Sequence, residues 1–222
     1  VAWPLSHIAL LLGSYLATNR IAAIGDSPSL FVSTGIAPYI ICLYPARMMG
    51  LSIPRNNQCL NVELIKPFHI FIASAIVELL TSAFVCMFFY LVMFSANMSL
   101  TPTDPIIAMT AVGAAAYLGI GLGAFNMVTT ALFGQFGMVF FIMMMMFGYT
   151  LSGVMVPVSY FSDSARIIAE YNPLFHNVQW LRSAYFSSYD TAEIGKAYVV
   201  GFATVSLFIG LAGELLFRGK FL

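Results

Sequence analysis

Apolar residues fill this chain in long unbroken runs, and polar residues gather between them. A bilayer core of about 30 Å takes roughly 20 apolar residues in a helix. Six runs meet or approach that length: 3–17, which looks truncated, then 30–53, 68–95, 105–127, 136–158 and 198–217. Strands of a membrane barrel would alternate polar and apolar positions over about ten residues. These runs are continuously apolar, so the pattern predicts an all-α, polytopic membrane protein with six transmembrane helices in a single transmembrane domain, 1–222. The first residue is Val1 and an apolar run starts at once, so an N-terminal cytoplasmic segment is expected to be missing.

The connections are uneven. Segments 18–29 and 96–104 read as short turns, and 54–67 is a polar loop. The longest connection, 159–197, carries helix signals of its own. Asp163 is expected to cap a helix over 164–171. Asn172 then stands where an N-cap belongs, and Pro173 at the first position of a second helix over 173–187. Leu174, Phe175, Val178, Leu181 and Tyr185 recur there at helical spacing. Trp180, Tyr185 and Tyr189 are ring types that favour a membrane interface. The pattern predicts a re-entrant or interfacial helical hairpin before the last span.

Composition excludes the soluble alternatives. The chain is 60% hydrophobic and 8% charged, where a soluble domain carries roughly 25% charged residues. That is too few charges to cover a water-facing surface, and disordered chains are charge-rich and apolar-poor. Net charge is zero, so no global field draws in nucleic acid. Arg55 and Lys66, Arg47 just inside the membrane, and the tail residues Arg218 and Lys220 fall on one side of a six-span chain. The opposite short loops hold Arg20. The positive-inside rule then places the 54–67 loop and both termini in the cytoplasm and the 159–197 hairpin outside it.

Two charges sit inside the expected spans. Glu78 lies about 15 Å into the third run and Arg47 about 9 Å into the second, at roughly 1.5 Å per residue. A carboxylate at such depth is a functional candidate by default. Either Arg47 pairs with Glu78, or Arg47 snorkels to the headgroups and Glu78 is neutral or bonded to a hydroxyl. In the fourth run, Gly119, Gly121 and Gly123 include a GxxxG, which lets helices approach closely in lipid. The run 143–146 of four methionines reads as flexible apolar filler. Cys42, Cys59 and Cys86 show neither disulfide nor metal spacing. No GxSxG, HExxH or Walker loop occurs, so catalytic readings rank low and neither a metal site nor a cofactor is expected in this chain.

The most specific text lies before the last span. Leu151-Ser152-Gly153-Val154-Met155-Val156-Pro157-Val158-Ser159 leads into Tyr171-Asn172-Pro173-Leu174-Phe175-His176 and then Trp180-Leu181-Arg182. Ile24-Gly25-Asp26-Ser27, followed by 31–35, and a stretch over 60–79 ending in Val77-Glu78-Leu79 add two further matches. In order and over nearly the whole chain, this resembles ABC transporter permeases of the type-2 export class, and within it the inner-membrane permeases of capsular polysaccharide exporters. Glu63 stands where that family commonly has Pro, and His69 where it has Asp.

The resemblance implies a homodimeric channel in the bacterial inner membrane that exports capsular polysaccharide, lipid-linked substrates included. It implies a separate cytoplasmic ATPase in two copies, which would bind the ATP and Mg, so the chain itself would be a transport subunit and no enzyme. A periplasmic co-polymerase or adaptor is a further expected partner. The 54–67 loop would act as the coupling helix, with Arg55, Asn56, Asn57, Gln58, Glu63 and Lys66 as polar docking residues and Leu60 and Ile65 as apolar contacts. Sugar faces stack on aromatic rings without fixed hydrogen bonds, so Tyr39, Tyr44, Tyr149, Tyr160, Tyr171, Trp180 and Tyr185 are candidates for the substrate path. Pro38 and Pro45 would loosen the second span. The same fold could export O-antigen, teichoic acid or a small drug. An ion-coupled secondary transporter would want inverted repeats and paired intramembrane acids, and a non-channel scaffold would have no ATPase partner.

Overall fold

The computed structural model describes residues 28–95, 101–154, 156–186, 194–217 and 219. The expected first span, Arg20, the Ile24–Ser27 motif, Met155, Tyr189, Arg218 and Lys220 lie outside them. The described residues form α1 (Pro28–Gly50), α2 (Ser52–Arg55), α3 (Pro67–Ser95), α4 (Pro105–Phe133), α5 (Gln135–Thr150), α6 (Asp163–Glu170), α7 (Pro173–Ser183) and α8 (Lys196–Phe217). Single 3-10 turns occur at Asn57–Asn61 and Val158–Tyr160. No strand occurs among the described residues.

Among the described residues, four helices are long and apolar enough to cross a membrane: α1, α3, α4 and α8. The fifth expected span is shorter than its apolar run. It stops at Thr150, and Gly153 then takes a left-handed conformation with φ 72°. Its 16 residues span about 24 Å, short of a hydrocarbon core of roughly 30 Å. The fourth run, by contrast, extends as helix to Phe133, and the single residue Gly134 turns the chain into α5.

Helix α4 is the central element, with α1 and α8 on either side. Residues two apart on a helix are rotated by about 200°, and residues four apart by about 40°. So Gly119 and Gly123 share one face of α4 and Gly121 points the other way. A Cβ on Gly119 would lie 2.8 Å from the Cys42 carbonyl, and one on Gly123 would lie 2.6 Å from the Met49 sulfur, both on α1. A Cβ on Gly121 would collide with the Ala203 backbone of α8. Further along, Gly210 and Gly213 of α8 fit against Ala124 and Val128 of α4. Both partners therefore run parallel to α4. Helix packing was the expected role of these glycines, and they serve it on two faces.

Pro38 and Pro45 leave α1 continuous. Pro45 removes the donor that would serve the Ile41 carbonyl. That carbonyl faces α4 beside Gly119, where a Cβ would lie 3.2 Å from it.

The outer faces are apolar. Ile76, Leu80 and Phe84 on α3, Phe136, Phe140 and Met143 on α5, and Phe208 and Leu216 on α8 are all exposed. Of the methionine run, Met145 packs inward while Met143 and Met146 face out. A surface of this kind suits lipid, not water.

Candidate functional site

The parallel register of α1, α4 and α8 gives the bundle two ends. One holds the 54–67 segment. The other holds α6, α7 and residues 101–104, where the Asp104 amide donates to the Ala184 carbonyl at 3.0 Å and Thr103 Oγ1 to the Tyr185 carbonyl at 3.1 Å.

At the second end the hairpin folds as the sequence predicts, with one shift. Ser162, not Asp163, caps α6 by accepting from the Ala165 amide; Asp163 is the first helical residue. A serine hydroxyl one position earlier reaches the free amides of the first turn as well as a carboxylate would. Asn172 caps α7 as expected: Oδ1 accepts from the Leu174 amide, and Nδ2 donates to the Gly148 carbonyl at 2.6 Å. Helix α7 does not lie on a surface. Every residue from Pro173 to Arg182 is buried, against α1, α4 and α8.

That burial includes His176, Asn177, Gln179 and Arg182, and backbone groups bond to three of them, His176, Asn177 and Arg182. His176 Nε2 meets the Glu170 carbonyl at 2.7 Å and its Nδ1 accepts from the Gly195 amide at 3.3 Å. The carbonyl can only accept and the amide can only donate, so the ring is the neutral tautomer with its proton on Nε2. Asn177 donates to the Ala111 carbonyl of α4 at 3.0 Å. Arg182 is fully buried. Its guanidinium donates to the carbonyls of Gly153 at 2.8 Å, Val154 at 2.9 Å and Phe31 at 3.4 Å, and lies 3.7 Å from the Phe31 ring centroid. Gly35 makes room for it, since a Cβ there would sit 2.9 Å from Nη2. Two carbonyls of the turn that follows α5 are therefore served by one arginine, while Asn172 and the Leu151 and Ser152 amides serve the last turn of α5 itself.

At the first end, Arg55, Asn56, Asn57, Gln58, Glu63 and Lys66 are exposed. Of the expected apolar docking contacts, Leu60 turns into the bundle and Ile65 is half-buried. Leu60 is buried against Met49, Ile53 and Ile70, and Ile65 packs on the same cluster. Val62 and Leu64 face out instead, Leu64 at 83% exposure. Arg55 and Asn56 partly turn inward: Arg55 Nη1 lies 3.8 Å from Met48 Sδ, and Asn56 Nδ2 donates to the Ser52 carbonyl at 2.8 Å.

Two arrangements of the intramembrane charges are open in the sequence, Arg47 paired with Glu78 or the two apart. Glu78 borders a cavity of about 520 Å3 between α2 and α3, and the cation on its wall is Arg55. Arg47 is half-buried on α1 and does not line that cavity. Tyr44 lies within electrostatic reach of all three charges.

The seven aromatic candidates do not share one wall. The rings of Tyr39 of α1 and Tyr149 of α5 meet at a tilt of 59°, with centroids 4.6 Å apart. Tyr185 lines a cavity of about 440 Å3 with Phe89, Tyr90 and Leu181. Tyr171 borders another of about 270 Å3 with Met144, Phe147 and Phe202. Trp180 and Tyr44 are buried, the Lys196 ammonium lying 5.4 Å from the Trp180 ring centroid, and Tyr160 is exposed.

Sequence reasoning quoted Arg182 as motif text without giving it a role, and it passed over Asn126 and Glu214. Asn126 donates to the Ala46 carbonyl of α1 at 3.1 Å and accepts from Thr130. Glu214 is buried near the end of α8. The available signal was the rarity of such side chains inside apolar runs.

No family model matches the chain. Two curated proteins do, both polysialic acid transport protein KpsM of Escherichia coli. One is 26% identical over 209 residues and the other 26% over 211, each alignment covering 94% of this chain and 81% of the relative. The similarity runs through both ends of the bundle, and it bears out the resemblance to capsular polysaccharide export permeases carried by the motifs around Gly153, Asn172 and Arg182.

Proposed function

We propose that this chain is the membrane-spanning permease subunit of an ATP-driven exporter that moves capsular polysaccharide, lipid-linked forms included, across the bacterial inner membrane. The observation that carries the reading is similarity over 94% of the chain to a polysialic acid transport protein. The helical fold with its lipid-suited outer faces supports it. Two copies of the chain form the channel. Two copies of a cytoplasmic ATPase, which bind ATP and Mg, dock on the 54–67 segment through Asn57, Gln58, Glu63, Val62 and Leu64. Both chain termini lie on that side. The α6–α7 hairpin lies at the extracytoplasmic end and meets a periplasmic co-polymerase or adaptor. Tyr39 with Tyr149, Tyr185 and Tyr171 offer separate stacking stations for sugar faces.

Deletion of the gene in its host, with polysaccharide located by cell fractionation, tests this. Long-chain glycan should accumulate inside and vanish from the surface. Unchanged surface glycan would overturn the substrate class and turn the search to lipids or drugs.

A further inference from the structure

The cavity between α2 and α3 has a wall chemistry that the export reading does not use. Its volume, about 520 Å3, lies in the range of roughly 300–1,000 Å3 typical of ligand sites. It is bordered by a cation, Arg55, and an anion, Glu78, and no ion pair joins them. The guanidinium is turned toward Met48, another residue of the same wall. Ser52 also borders the cavity. It is 2% exposed, and its hydroxyl has no hydrogen-bond partner. A buried hydroxyl without a partner costs about 1–3 kcal/mol, so such a group beside a cavity marks a place for a ligand atom. His69, which also lines the cavity, accepts the Lys66 amide at Nδ1, so its Nε2 is free to face a ligand.

One wall of the cavity is Val77, which is exposed. From there the outward face of α3 continues through Leu80 and Phe84. A ligand with its polar end in the cavity therefore has an apolar track for its tail. Arg55 with the Ser52 hydroxyl suits a phosphate. A purely anionic headgroup would also meet the Glu78 carboxylate, whose repulsion in a half-buried setting is strong. A headgroup that carries an ammonium beside its phosphate satisfies both walls. We infer that this cavity binds the headgroup of a zwitterionic phosphoethanolamine phospholipid from the surrounding bilayer, phosphate on Arg55 and Ser52, ammonium on Glu78, acyl chains along α3. The site requires only that the chain sits in a bilayer, so it stands or falls apart from the exported substrate.

The test uses the full chain purified in detergent. It is titrated separately with phosphatidylethanolamine and phosphatidylglycerol of matched acyl chains, and lipid retention is read by native mass spectrometry. Wild type should retain phosphatidylethanolamine about tenfold more tightly, the scale of one charge-assisted hydrogen bond. Glu78→Gln should erase that preference by weakening phosphatidylethanolamine alone. Arg55→Gln and, less strongly, Ser52→Ala should weaken both lipids. Equal retention of the two lipids by wild type overturns the inference, as does a preference for phosphatidylglycerol. A preference that persists in folded Glu78→Gln protein overturns the role of the carboxylate. The wild-type comparison decides the matter even where a variant fails to fold.

Discussion

Arg182 shows how one side chain can hold a break in a membrane helix. Its three carbonyl acceptors come from two separate parts of the chain, the turn after α5 and the first turns of α1. Hydrogen bonds to a charged donor contribute about 1.5–3 kcal/mol each. Removing the donor also leaves buried carbonyls without partners. Arg182→Met should therefore lower stability by about 3 kcal/mol or more, read as thermal unfolding in detergent. Lysine keeps the charge but lacks the planar fork, so Arg182→Lys should recover only part of the loss. Full stability in Arg182→Met would show that water serves these carbonyls instead. None of this was readable from the position of Arg182, because what calls for an arginine is the broken end of α5. The apolar run 136–158 hides that break, and Gly153 alone hints at it. Asn172 was legible, since a cap followed by proline is a local signal that needs no tertiary partner.

At the scale of elements, the glycines of α4 act on two partners. Gly119→Ala and Gly121→Ala push a methyl group into backbone on α1 and α8 respectively. Each should destabilise the protein by about 1–3 kcal/mol, the range for overpacking a filled interface. Gly113 faces open space, so Gly113→Ala should be neutral or stabilising by up to about 1 kcal/mol through helix propensity. Parallel thermal melts of the three variants separate packing from propensity; a uniform response would refute the two-faced packing. The four long helices were legible as apolar runs. Their packing order was partly legible, because the Gly119–Gly123 spacing fixes one face of α4. That Gly121 serves the opposite face follows from helical rotation alone, but naming α8 as its partner took the fold. The short α5 was misjudged for a physical reason: an apolar run has no length limit of its own, and its end is set by where the backbone finds other partners.

At the scale of the whole molecule, the two ends have different characters. One end is tied by backbone-directed hydrogen bonds from α7. The other exposes a short polar segment with Leu64 standing outward. If that segment is where an ATPase docks, Leu64→Asp should reduce co-purification of the ATPase by about tenfold while leaving the melting temperature unchanged, since a buried leucine contact is worth about 1.5–3 kcal/mol. Leu60→Asp should instead unfold the first end, because Leu60 packs inside. Undiminished co-purification with Leu64→Asp would remove this surface from the interface. The polar character of this segment was legible in the sequence, but which of its apolar residues turn inward was not, because Leu60 is held by Met49, Ile53 and Ile70 from other elements.

The burial of α7 bears on how the chain is made. A segment that carries His176, Asn177, Gln179 and Arg182 within a few residues is too polar to partition into lipid on its own. Its slot is lined by carbonyls from α1, α4 and the end of α5, and His176 finds its second partner only at Gly195, where α8 begins. Biogenesis is therefore expected to take two stages in this protein. The long apolar helices insert first, each by its own hydrophobicity. The polar helix is then expected to dock on carbonyls of α1, α4 and the turn after α5, and its last contact, His176 with the Gly195 amide, closes when α8 is in place.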